Sequence, residues 1–262
     1  PNDAPVQYRT VGGKTRDRSV DEQRVDMSMN LNRVRTVDDR VPCRNAIISV
    51  ADKEGLTDFV EALWTVVPDL HIYSCGGTYR SLRDVAYERD TQEKLHEVQT
   101  YTGQPEMQGG LVKTLDYKIY LGLLAERYNE DHMRDLQRAS AVAFDLTVCT
   151  FYPFEDTVGS GSVTLEDART HIDIGGPTMV RASAKNFLRV ATITEPGDYN
   201  LLIDELRSGN GNTSLSFRAA MAAKAFRVTA RYEAAIAGAI GSLARSADWR
   251  SLYTIENGGT TQ

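Results

Sequence analysis

Apolar residues fall in short runs along this chain, and the runs alternate between two periods. Asn45-Ala-Ile-Ile-Ser-Val50 is an apolar stretch of strand length, the pattern of a strand buried on both faces. Asp52-Lys53-Glu54-Gly55 then makes a turn, after which Leu56, Phe59, Val60 and Leu63 recur at helical spacing. His71 to Ser74 reads as a second strand. Cys75-Gly76-Gly77-Thr78 turns the chain into a helix carrying Leu82 and Val85. Leu146 to Phe151 and Arg189 to Thr194 read as a third and a fourth strand. Thr164-Leu-Glu-Asp167 has the spacing of a capping box and predicts a short helix. Pro196 to Arg207 predicts a helix stopped by Ser208-Gly209-Asn210-Gly211. An Ala-rich helix follows, from about Ser214 to about Leu243, and Asn257 to Gln262 reads as a frayed end.

Strands alternating with helices predict an α/β fold, with a mostly parallel sheet covered on both faces. In such folds ligands bind in loops at the carboxyl ends of the strands. Residues 1–44 differ from the rest: they have no sustained apolar period and carry nine Lys/Arg against seven Asp/Glu. They read as an amino-terminal extension or arm, because they can bury little apolar surface. The main domain is expected over 45–208, with 209–262 a helical segment of the same unit.

At 262 residues, 41% hydrophobic and 25% charged, the chain has a globular composition. A net charge of −6 argues against nonspecific nucleic-acid binding but leaves room for a local basic pocket. Cys43, Cys75 and Cys149 are odd in number and widely spaced, which fits reduced thiols in a cytosol. The four histidines share no spacing, so no metal site is expected, and all four read as structural or surface residues. No apolar run has the length of a membrane span. A cytoplasmic location is expected.

The candidate chemistry gathers in a few loops. Asp173-Ile-Gly-Gly-Pro-Thr178 runs on to Lys185-Asn186. Pro177 suits a first helical position, and the free N–H groups of a helix start make an anion-friendly corner. Asp173 stands before that corner, and Lys185 follows two to three turns later, at about 3.6 residues per turn. Ser74 to Thr78 reads equally as a phosphate cradle or as a tight turn, with two glycines that permit close approach. Lys53 at a helix start reads in isolation as a surface lysine, although a cation there opposes the helix dipole, a weak argument for function. Lys113-Thr114 follows Gly109-Gly110, and its lysine could stabilise an oxyanion or be merely solvated. Tyr152, at a strand end, could relay protons or close the core edge.

As a set these segments are more specific. Ser-Val-Ala-Asp-Lys-Glu-Gly (49–55), Ser-Cys-Gly-Gly-Thr (74–78), Tyr-Thr-Gly-Gln-Pro-Glu-Met (101–107), Val-Lys-Thr-Leu (112–115), Tyr-Pro-Phe-Glu (152–155), Ile-Asp-Ile-Gly-Gly-Pro-Thr (172–178) and Arg-Ala-Ser-Ala-Lys-Asn (181–186) occur in one order. That order resembles the IMP cyclohydrolase domain of the bifunctional purine-biosynthesis proteins. Lys224-Ala-Phe226 and Thr229-Ala-Arg-Tyr232 resemble its helical end. The resemblance implies a methylglyoxal-synthase-like three-layer α/β/α sandwich with a C-terminal helical segment. It implies ring closure of the formylated aminoimidazole carboxamide ribonucleotide to IMP, without metal or other cofactor. It also implies a homodimer, and a separate formyltransferase in the pathway, since the chain reads as a stand-alone cyclohydrolase unit.

By the same resemblance, Asp173 is the base-side group, Lys113 stabilises the oxyanion, and Tyr152 and Lys185 relay protons. The implied substrate-binding set is Asp52, Lys53, Ser74, Cys75, Gly76, Gly77, Thr78, Thr114, Thr150 and Ile174, with Gly175 beside the base. The chain departs from the family pattern in four places. Leu111 stands where it has Arg, Ala51 where it has a second Ser, Thr150-Phe151 where it has Asn-Leu, and Asp116-Tyr117 where it has His-Pro. An isobutyl group does not replace a bidentate guanidinium. A paralogue closing a ring on a related nucleotide, or a nucleotide sensor without turnover, are the other readings these departures leave open.

Overall fold

The computed structural model describes residues 33–105, 113–152, 154, 158 and 163–255. Its strands are β1 (Arg40–Pro42), β2 (Asn45–Ser49), β3 (His71–Ser74), β4 (Leu95–Glu97), β5 (Leu146–Cys149), β6 (Ala191–Ile193) and β7 (Asn212–Ser214). Its helices are α1 (Leu56–Val66), α2 (Gly76–Glu88), α3 (Val98–Thr102), α4 (Tyr117–Leu124), α5 (Glu130–Ala139), α6 (Leu165–Thr170), α7 (Gly175–Lys185), α8 (Tyr199–Ser208), α9 (Leu215–Ser246) and α10 (Trp249–Leu252).

Five strands form one parallel sheet in the order β4-β3-β2-β5-β6. The apolar runs are continuous because both faces are covered. Ala46, Ile48, Ile72, Leu146 and Val148 point to one face, where they meet Leu56, Phe59, Val60, Leu63 and Trp64 of α1 and Leu202 and Leu206 of α8. Ile47, Tyr73 and Cys149 point to the other, against Ile119 and Leu123 of α4 and Met179 and Val180 of α7. The result is the expected three-layer α/β/α sandwich. Burying side chains of this size contributes roughly 1.5–3 kcal/mol each. A buried Thr147–Ser183 hydroxyl pair, 2.8 Å apart, adds a polar tie between β5 and α7.

The strand order sets where a ligand can enter. The chain steps outward from β2 to β3 and β4, then returns to place β5 on the other side of β2. Loops leaving β2 and β5 therefore diverge, and the crevice between them opens at the carboxyl ends of the strands. The 32-residue α9 packs along β6 and α7, so it covers the edge strand nearest that crevice.

Several elements differ from the sequence reading. The arm expected over 1–44 stops earlier: Arg40–Pro42 pairs antiparallel with β7, and the compact unit begins at Val37. Arg218, with no exposed surface, anchors this part of the chain. Its guanidinium donates to the carbonyls of Asp38, Asp39, Thr213, Phe187 and Leu188. A buried charge is tolerable only when hydrogen-bonded in this way. Pro177 is the third residue of α7 and not the first. It still fits, because a first-turn N–H has no helical acceptor to lose. β1, β4, β7, α3 to α5 and α10 were not anticipated; all but α4, which carries the apolar run Ile119 to Leu124, lack a long apolar run.

Candidate active site

A cleft of about 350 Å³ opens at the crevice, lined by the loops after β2, β3 and β5, by residues 113–115, and by residues 170–176. It gathers Lys53, Cys75, Gly77, Thr78, Lys113, Thr114, Thr150, Tyr152, Asp173, Ile174 and Gly175 from five separate segments.

One end is cationic. α2 starts after Cys75, which is extended and whose own side chain does not cap the first turn. A Cβ built on Gly76, at φ +53°, would stand 3.0 Å from Lys113 Nζ, and one on Gly77 would stand 3.3 Å from Lys53 Cε. Two lysines thus converge on this helix N-terminus. The dipole and the free N–H groups favour an anion there, and the lysines add charge of the right sign. Thr114, next along, lies against the other helix start: a Cβ on Gly175 would be 3.2 Å from its Oγ1. Lys113 and Thr114 therefore span the cleft from α2 to α7.

The other end is acidic. Asp173 Oδ1 accepts from the N–H of Gly176 at 3.0 Å, so the carboxylate closes the first turn of α7. This corrects the expected anion corner, whose N–H groups are occupied by the protein's own carboxylate. Gly176 is required for that approach, because a Cβ would sit 2.6 Å from Asp173 Oδ2. Burial pushes the Asp173 carboxyl above the ordinary range, and the Gly176 and Gly175 N–H groups pull partly the other way. A carboxylate destabilised by burial is a better proton acceptor. Burial, with Asp173 nearby, also raises the Cys149 thiol, so Cys149 stays protonated. Tyr152 stands 63% exposed at the mouth.

Four expected residues lie elsewhere. Ser74 is fully buried and its hydroxyl donates to the Ile48 carbonyl at 2.7 Å, so it braces the sheet. Asp52 is exposed outside the lining and accepts from the Glu54 N–H at 3.0 Å as a turn residue. Gly76 contributes its backbone beneath Lys113 without lining the cleft. Lys185 is exposed on the last turn of α7 and does not line the cleft. Eleven residues of helix place it about 15 Å along the axis from Gly175. Leu111 lies outside the described residues.

Two other site residues are partly engaged. Thr78 Oγ1 exchanges hydrogen bonds with both backbone groups of Val50 at 3.1 Å. Thr150 Oγ1 accepts from the Ala51 N–H at 2.9 Å. The sequence reading missed His171, which lines the cleft at the end of α6. Its Nδ1 lies 2.7 Å from the Asp167 carbonyl. Its place two residues before Asp173 was the available signal. Among the described residues, no group of three or more His, Cys, Asp or Glu is placed to hold a metal, and no helix is long and apolar enough to cross a membrane.

Comparison with known proteins gives consistent matches. Residues 55–178 match the model of an MGS-like domain, and residues 183–258 match that of the AICARFT/IMPCHase bienzyme. The chain is 40% identical over 213 residues to the bifunctional purine biosynthesis protein PurH of Chlorobium phaeobacteroides (strain DSM 266 / SMG 266 / 2430), covering 81% of this chain and 39% of that protein. The PurH of Microcystis aeruginosa is 42% identical over 200 residues, covering 76% and 38%. The chain thus spans about two fifths of the length of these relatives. A crystal structure of ForH superposes with a TM-score of 0.64 at 29% identity, covering 76% of this chain and 97% of that one.

Proposed function

Because an MGS-like domain joined to a segment of the AICARFT/IMPCHase bienzyme makes this chain a member of that family, we propose that it is a purine-biosynthesis enzyme. In this reading it closes the ring of 5-formamidoimidazole-4-carboxamide ribonucleotide to IMP. The observation that carries it is one cleft with a two-lysine helix start at one end and a buried carboxylate at the other.

The phosphate sits on the start of α2, held by Lys53, Lys113 and the Gly77 and Thr78 backbone. Thr114 and Gly175 border the ribose and base. Asp173 takes a proton from the carboxamide nitrogen, which attacks the formyl carbon. The new carbon–nitrogen bond leaves negative charge on the formyl oxygen. That oxygen departs as water, carrying one proton from the carboxamide nitrogen and one from the formamido nitrogen, and a carbon–nitrogen double bond remains. Tyr152 stands at the mouth, where it passes protons to the leaving oxygen. Holding both groups of one substrate in contact supplies much of the acceleration.

Lys113 lies against Gly76, so the phosphate takes its charge first, ahead of the oxyanion role the resemblance implies. Lys185 has no part in this single-chain scheme. The homodimer belongs to the same reading.

A second reading is supported by Ala51 and Thr150: the Thr150 hydroxyl, where the family pattern has Asn, accepts from the Ala51 backbone N–H, and Ala51 lacks the hydroxyl of the family's Ser. In it the same cleft closes a ring on a related nucleotide. Mass spectrometry after incubation with the formylated carboxamide ribonucleotide, and with ring-analogue nucleotides, separates the two. Loss of one water from the first compound supports IMP formation, and loss only from an analogue supports the second reading.

A further inference from the structure

We propose that Tyr232 of α9 is a positioning residue that locks Asp173 and the Tyr152 loop into one arrangement. The inference rests on the ring-closing reading of the cleft. Tyr232 is 8% exposed, and its hydroxyl accepts the Asp173 backbone N–H at 2.8 Å. That bond fixes the residue whose carboxylate caps α7, from a helix 59 positions later in the chain.

The ring of Tyr232 makes a second attachment. It lies tilted on Phe151, with centroids 5.1 Å apart, and edge-on to Phe154 at 6.2 Å. These two residues flank Tyr152. Tyr152 itself is mostly exposed and stands between the cleft and a neighbouring hollow of about 270 Å³, so packing of its own ring does little to hold it. Its direction is set by its anchored neighbours. Phe151 also reaches the acidic corner: a Cβ built on Gly176 would be 3.2 Å from its Cδ1. Tyr232, Phe151 and the Asp173–Gly176 turn thus form one contact chain.

α9 is held firmly enough to act as the reference. Lys224 Nζ lies 2.6 Å from both Glu195 Oε2 and Asp198 Oδ2, clamping the helix to the loop after β6. Other titratable groups near the corner do not confuse the readout. Tyr120 and Cys149 face Asp173, and burial raises both. Burial also raises Tyr232 itself, with Glu233 nearby, so its hydroxyl keeps its proton.

The test is Tyr232→Phe, which keeps the ring and removes the acceptor. The expected result is a kcat lower by about tenfold, with little change in KM, on the scale of one lost hydrogen bond. The acid limb of the kcat profile should move to higher pH, because a loosened corner weakens the N–H contacts that hold the Asp173 carboxyl down. Phe151→Leu, which keeps the hydroxyl and loosens the ring contact, should move both quantities the same way. Carbon NMR titration of the Asp173 carboxyl, assigned against Asp173→Asn, reads the same shift without turnover. An unshifted carboxyl and an unshifted limb in both variants would overturn the proposal. Absence of ring closure in the unaltered protein, with a shifted carboxyl in Tyr232→Phe, would overturn the reaction reading and keep the positioning role.

Discussion

The Ala51 backbone N–H donates to the Thr150 hydroxyl across 2.9 Å, tying the loop after β2 to the end of β5. Ala51 and Thr150 are two of the positions where the chain departs from the pattern it resembles, and they are partners. The hydroxyl holds a loop, so less of its capacity faces a ligand. Lys53 Nζ donates to the Ala51 carbonyl at 3.2 Å, so the same loop carries a cleft lysine.

Thr150→Val should therefore act on both stability and binding. It leaves a half-buried N–H without its acceptor, a cost of about 1–3 kcal/mol, toward the lower end where water can reach. Thermal unfolding should show the loss. Calorimetry should show weaker nucleotide binding, because the loop that carries Lys53 is released.

Asp173 makes a prediction with opposite signs for stability and activity. Its folded pKa is raised by burial, so the folded protein binds the proton more tightly than the unfolded chain. Its contribution to stability is full below the unfolded value, near 3.9, and is lost as pH rises through the raised folded value. Turnover needs the ionised form and should rise over that same window. Asp173→Asn should be as stable as the unaltered protein at neutral pH, since its amide oxygen still accepts from Gly176, yet lose turnover by about a hundredfold or more. Paired pH series of melting temperature and rate check both halves.

Glycine substitutions separate the acidic corner from the scaffold. Gly176→Ala places a Cβ 2.6 Å from the Asp173 carboxylate and should cost about 1–3 kcal/mol together with most activity. Gly238, exposed within α9 with nothing within 4 Å, should behave oppositely. Gly238→Ala should add about 0.5–1 kcal/mol and leave activity unchanged. Denaturant titration of both variants measures the contrast.

Lys53 and Lys113 should distinguish a nucleotide from its nucleoside. Replacing either by Ala removes a charge-assisted contact of about 1.5–3 kcal/mol, so IMP binding should weaken by roughly tenfold or more. Inosine binding should barely change. Raising the salt concentration should shrink the difference between variant and unaltered protein, because the cradle is partly open to solvent.

Much of this arrangement was readable from the chain because it is local. The apolar runs at β2, β3 and β5, the helical spacing of α1, and the Thr164–Asp167 capping box each encode one element. Much of what was not read depends on contacts distant in sequence. β1 and β7 hold only three residues each and exist because they pair with one another. α4 is capped by Asp116, whose carboxylate accepts from the Lys118 N–H at 2.7 Å. That cap is a local signal, and it was missed. Ser74 and Asp52 were expected in the site from the resemblance, and only the fold reveals that Ser74 points into the sheet and Asp52 back into its own turn. Lys185 shows the same limit, because neighbouring motifs in sequence can lie at opposite ends of a helix.

The most direct measurement is an ultraviolet assay of ring closure by the purified protein on the formylated carboxamide ribonucleotide, run beside Asp173→Asn. The account predicts that IMP accumulates with the unaltered protein and at a rate at least about a hundredfold lower with the variant. Tight IMP binding by both proteins, with no IMP formed by either, would contradict it.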